Sequence, residues 1–110
     1  MGYIAHHAII VTCWKKDDID EAHKMARVLF GSMVTDIIKG VANDYYTFFV
    51  GPDGSKERWD TSEDYNQRRT EYIAALSKKN LYVDCVVVRY GGDDPDFAKI
   101  EAIQGYKEAA

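Results

Sequence analysis

The order of its segments constrains this chain most. A strand pattern is followed by a helical pattern, two strand patterns, a second helical pattern and a further strand pattern, with a turn or cap residue at each joint. Each helical stretch separates strands that no tight hairpin joins, so each must carry the chain across a sheet. At 110 residues there is room for one such unit and little more.

Each segment has its physical signature. Tyr3–Cys13 is almost continuously apolar around Ile9-Ile10-Val11, as a central strand buried on both faces requires. Lys15–Asp18 turns the chain, and Asp18 with Glu21 has capping-box spacing. Ile19, Ala22, Ala26 and Leu29, with Met25 beside them, form one helical stripe, and Gly31 ends it. Met33–Ala42 is a weaker strand diluted by Asp36, Lys39 and Gly40, which suits a sheet edge. Asn43-Asp44 reads as a hairpin turn, and Tyr45–Val50 as an aromatic-rich strand closed by Gly51-Pro52-Asp53-Gly54.

The second half repeats the scheme. Ser55–Asp60 is a polar connection holding Trp59, and Thr61 or Ser62 caps a helix with Glu63 and Asp64 at its positive end. Tyr65, Arg69, Tyr72 and Leu76 share a face, with Ile73 alongside. Lys78 and Lys79 suit the negative end, and Asn80 a left-handed cap. Leu81–Tyr90 is the fourth strand. In the tail, Asp94-Pro95 has the form of a helix start, Phe97, Ile100 and Ile103 have helical spacing, and Gly105 can stop the segment; a strand over Lys99–Lys107 competes with that reading.

The expected class is therefore α+β: a single ferredoxin-like βαββαβ domain over residues 1–110. Its four-stranded antiparallel sheet has the order 4-1-3-2, with two helices on one face and a short C-terminal helix or strand.

Charge and cysteine content narrow the function. Fourteen basic against 18 acidic residues leave a net charge of −4, and the basic pairs Lys15-Lys16, Arg68-Arg69 and Lys78-Lys79 are scattered. Nucleic acid is thus a disfavoured partner. Cys13 and Cys85 lie in apolar strands with no CxxC, the usage of reduced, buried thiols in the cytoplasm. On the expected register they stand about four residues apart, roughly 13 Å, too far for a disulfide. No targeting signal is expected, because His6 and His7 interrupt the apolar N-terminal stretch. The stretch is also far short of the roughly 20 residues that span a bilayer. Met1-Gly2 fails as a myristoylation motif, with His6 where Ser or Thr is needed.

Motifs that carry chemistry are weak. His6 and His7 point to opposite sheet faces, so they cannot share a metal or a substrate, and His23 borders the first helix's apolar stripe. No metal or cofactor is expected. Gly91-Gly92-Asp93-Asp94-Pro95-Asp96 lacks the calcium-loop pattern, and Gly51–Lys56 lacks the phosphate-loop frame; both read as turns. Ser32, Ser55, Ser62 and Ser77 fall at helix borders or turns, so no catalytic residue is expected.

One surface remains. If Val83, Cys85 and Val87 face the helices, then Tyr82, Asp84, Val86, Val88 and Tyr90 line the open sheet face, joined by Tyr45, Thr47 and Phe49. A broad aromatic face needs a cover: the tail, a second copy or a protein partner. The first expectation is a non-enzymatic protein-binding, regulatory or inhibitory module or homodimer using Tyr45, Phe49, Tyr82, Asp84, Val88 and Tyr90. The second is a small-molecule or nucleotide site, in a binding dimer or small enzyme, built on the open face from His6 or His7 with Arg89. Asp84 and Arg89 have opposite parity, so only one of them can share a face with a given histidine. Tyr45-Tyr46-Thr47-Phe48-Phe49-Val50 resembles the aromatic strand of RNA-recognition sheets, which implies RNA binding as a third reading. It departs from that pattern because no basic residue and no glycine precedes the aromatic pair.

Overall fold

The computed structural model describes residues 3–104. Its elements are β1 (His6–Cys13), α1 (Lys16–Phe30), β2 (Ile38–Lys39), β3 (Tyr46–Val50), α2 (Asp60–Lys79), β4 (Asp84–Tyr90) and β5 (Ala98–Gln104). All pairings are antiparallel, in the order β2-β3-β1-β4-β5. The class is α+β, and β1 holds the centre as expected, but it is buried on one face rather than both: His7, Ile9, Val11 and Cys13 are buried and alternate with half-buried residues, because both helices lie on the same side of the sheet. The sheet has five strands rather than the expected four.

The added strand is the tail, which pairs with β4 instead of forming the favoured helix. Gly91 and Gly92 take positive φ, and the Gly91 N–H donates to the Phe97 carbonyl over 3.0 Å. That closes a hairpin and returns the chain along β4, where a ladder of backbone bonds outweighs the weak helical spacing of Ile100 and Ile103. The expected stop at Gly105 and the extension to Lys107 lie outside the described residues, as does Met1-Gly2.

Local corrections have equally local causes. The Met33–Ala42 strand shrinks to two paired residues and a bridge between Val34 and Val50. Asn43 and Asp44 both adopt positive φ, but the connection from β2 to β3 is longer than the expected two-residue turn: the last strand pair is Lys39 with Tyr46, and the Gly40 N–H donates to the Tyr45 carbonyl. Asp18 does not cap α1. Its carboxylate instead accepts the Tyr82 N–H at 2.8 Å, tying the helix to the entrance of β4. α2 starts at Asp60 behind Trp59, without the cap expected from Thr61 or Ser62, and ends on a left-handed Asn80 as expected. Cys85 pairs with Val11, so the two cysteines are two residues out of register rather than four; both are free and buried.

Both helices pack on one face. Ile9, Val11 and Cys13 of β1, Phe48 and Val50 of β3 and Cys85 and Val87 of β4 meet Ile19, Ala22, Ala26 and Phe30 of α1 and Tyr72 and Leu76 of α2. The Phe30 ring stands edge-on to Tyr72, whose hydroxyl donates to the Ala22 carbonyl at 2.8 Å. Among the described residues no helix is long and apolar enough to cross a membrane.

Candidate functional site

The polarity of the inner sheet face changes along its length. Along β1 it runs His7, Ile9, Val11, Cys13; along β4 it runs Arg89, Val87, Cys85. Register pairs His7 with Arg89, Ile9 with Val87 and Val11 with Cys85. α2 follows the same gradient, with Tyr72 and Leu76 buried towards its C-terminal end and Ser62 and Arg69 towards its start. Apolar packing therefore fills one end of the space between the layers. The other end holds a cleft of about 1090 Å³, bounded by α2, the 56–59 connection and the His7–Arg89 end of the sheet.

His7 is the centre of this cleft. It is 8% exposed, with Nδ1 2.6 Å from Glu101 Oε1 and Nε2 2.7 Å from Glu57 Oε1. Both ring nitrogens thus lie within hydrogen-bond reach of a carboxylate oxygen, and which of them donates depends on the tautomer. Both ring nitrogens are engaged by carboxylates in this arrangement. Glu57 is itself fixed: its N–H donates to the Tyr3 carbonyl at 2.7 Å, and its second oxygen accepts from Ser62 at 3.3 Å. Glu101 reaches His7 because β5 is irregular there. Val87 pairs with Ala102 and Val88 with Ile100, so Glu101 is an extra residue in the ladder.

Two arginines flank this centre. Arg69 is buried, donates to the Asn66 side chain, and stands 3.7 Å from the equally buried Asp53 carboxylate. Burial lowers its pKa, opposed by the charges of Asp53, Glu101 and Glu57. Arg89 has no such partner. Its guanidinium lies 5.1 Å from the Phe97 ring centroid and 5.9 Å from that of Tyr3, and its Nε is buried without a hydrogen bond.

The opposite face of the sheet is different in kind. Register aligns Phe49 of β3, Ile10 of β1, Val86 of β4 and Ile103 of β5 in one row. Ala8, Val88 and Ile100 form a second row. His6 pairs with Tyr90, ring centroids 5.4 Å apart, at one end. Thr47, Thr12 and Asp84 form the other end, with the two threonine hydroxyls 3.0 Å apart. Among the described residues no element covers these rows, and β5 extends them in the plane of the sheet.

The expected site residues thus separate. Phe49, Asp84, Val88, Tyr90 and His6 lie on the outer face. Tyr45 is exposed just before β3. Tyr82 precedes β4 and packs edge-on to Trp14. Arg89 is on the inner face with His7, so the His/Arg pairing expected on the open face exists only under α2, and His6 takes no part in it. The three-aspartate loop has a structural role, in which the Asp93 carboxylate accepts the Ile4 N–H at 2.8 Å. His23 is occupied by the Thr35 carbonyl at 2.8 Å. Among the described residues no cluster of His, Cys, Asp and Glu is arranged to hold a metal ion.

Sequence reasoning passed over Glu57, Glu101 and Trp59 as site residues. The one usable signal was Arg69, a charge at core spacing on α2, which requires a buried polar neighbourhood. Compared with protein-family models, curated proteins and solved structures, the chain matches none.

Proposed function

We propose that the protein is a binding module that takes a small molecule in the cleft between α2 and the polar end of the sheet. The observation that carries this reading is the Glu57–His7–Glu101 centre: convergent polar groups fixed in a cavity of about 1090 Å³, the kind of site that small ligands occupy. Binding without turnover is the better fit, because both ring nitrogens of His7 are engaged. Mapping amide shifts of the isotope-labelled protein against a fragment library tests it. Hits are expected to move residues 57–73, His7 and Arg89 together; hits confined to other surfaces would overturn the reading.

A second reading is favoured by the uncovered Phe49–Ile10–Val86–Ile103 row. This is a flat apolar surface for protein contact, and the occupant we propose is a second copy of the chain packed sheet to sheet. Its charged or ionisable groups are confined to the ends, Asp84 at one and His6 at the other. Copies stacked with strands reversed bring Asp84 of each towards His6 of its partner. Light scattering over a concentration series tests this, and a monomer at all concentrations would rule it out. A ferredoxin-like βαββαβ unit with β5 appended is the fold description we favour. Two free buried thiols fit a cytoplasmic protein.

A further inference from the structure

We infer that the ligand of the cleft is an anion carrying a planar ring, a phosphate or carboxylate group on an aromatic body; this rests on the cleft being the binding site. His7 is matched to Glu57 and Glu101, and Arg69 to Asp53. Lys56, Arg58 and Arg89 also line the cleft, and none of them forms an ion pair among the described residues. Glu63 is the one lining carboxylate in the same state. Counted together with Asp53, the fixed charges around the cleft balance, four Lys and Arg against four carboxylates; the cations left without an ion pair nevertheless outnumber the one such carboxylate by three to one, in a chain whose net charge is −4, and cations free to pair in a concavity draw anions.

Arg89 gives such an anion a seat. Its Nε is buried and unbonded, a group that costs free energy until an acceptor arrives. A guanidinium fork matches the oxygens of either phosphate or carboxylate. Arg58 adds an independent sign: its φ of +73° is costly for a long side chain, and such strain clusters at ligand sites. The ring preference comes from Trp59, half exposed at the cleft wall with the Lys56 ammonium 5.8 Å from its ring centroid. A ligand ring can stack there while its anionic group reaches the cations.

Matched pairs test this: adenosine 5′-monophosphate against adenosine, and indole-3-acetate against indole, titrated into the full chain with amide shifts and calorimetry as readouts. In at least one pair the anion should bind about tenfold or more tightly than its neutral partner, and should weaken with added salt. The pair that responds separates phosphate from carboxylate. Arg89→Gln should erase the difference, and Arg89→Lys should keep part of it. The exposed variant Arg58→Gln should reduce it if Arg89→Gln fails to fold. Neutral and charged members binding the cleft equally would overturn the anion inference and leave the cleft reading standing. No shift of any cleft amide by all four compounds would overturn both.

Discussion

His7 and Arg89 are register partners across β1 and β4, and both side chains leave the sheet on the side of α2. One is held between two carboxylates and the other has none. Two neighbouring basic side chains thus have opposite electrostatic surroundings, and their substitutions should behave differently.

Replacing His7 with Phe removes the shared partner of Glu57 and Glu101 and leaves two carboxylates facing each other. The expected loss is about 1–3 kcal/mol, read as a fall in the urea midpoint. Glu101→Gln should cost less, under about 1 kcal/mol, since that carboxylate is 34% exposed and screened. An unchanged midpoint for the His7 variant would show that the triad contributes nothing to folding.

Gly92 and Gly54 make a controlled comparison. Both have positive φ, +81° and +84°, but a Cβ at Gly92 would stand 2.1 Å from the Ile4 carbonyl oxygen, whereas one at Gly54 would meet nothing within 4 Å. Gly54→Ala should cost about 1 kcal/mol from backbone strain alone. Gly92→Ala should cost clearly more, because backbone must move and the clasp of Asp93 on Ile4 loosens. Equal melting temperatures for the two variants would contradict this account.

Ile103 is 71% exposed on the outer row. Ile103→Ser should change the stability of the monomer by no more than about 0.5 kcal/mol. If two copies pack through this face, the variant should lower the association constant measured by light scattering. Lost stability with unchanged association would mean the row serves folding only.

Stability should fall in alkali. Burial pushes the Cys85 thiol from 9.0 up to about 12 and raises the Tyr72 hydroxyl as well. A raised folded-state pKa means the unfolded chain loses its proton first. The contribution is whole below about pH 9 and is lost as pH rises towards 12, at most about 1.4 kcal/mol per group per pH unit. Urea midpoints at pH 7, 9 and 10.5 should decline mainly over the last interval, and Cys85→Ala should flatten the decline. Cys85 should also react with thiol reagents only after unfolding.

What the sequence made legible followed from period and punctuation. β1's apolar run predicted its central position, and the condition that Val83, Cys85 and Val87 face the helices agrees with their burial. β5 was obscured because an edge strand needs little apolar alternation, and because two glycines fix its direction from outside the segment. The cleft was harder to read. His7, Glu57 and Glu101 are separated by 50 and 44 residues along the chain, and no local pattern joins them. Glu101 arrives only through a break in alternation, which period-based reading treats as noise.

That break allows β5 to serve both surfaces. With strict alternation, placing Glu101 beside His7 would turn Ala102 outward and Ile103 inward. The additional residue lets Glu101 and Ala102 share the inner side and returns Ile103 to the outer row. A single-codon deletion at Glu101 would therefore do something few point substitutions can: it would restore an ideal ladder while taking the carboxylate from the cleft. A redesign of β5 scored on backbone regularity would then discard the carboxylate that the proposed binding site depends on.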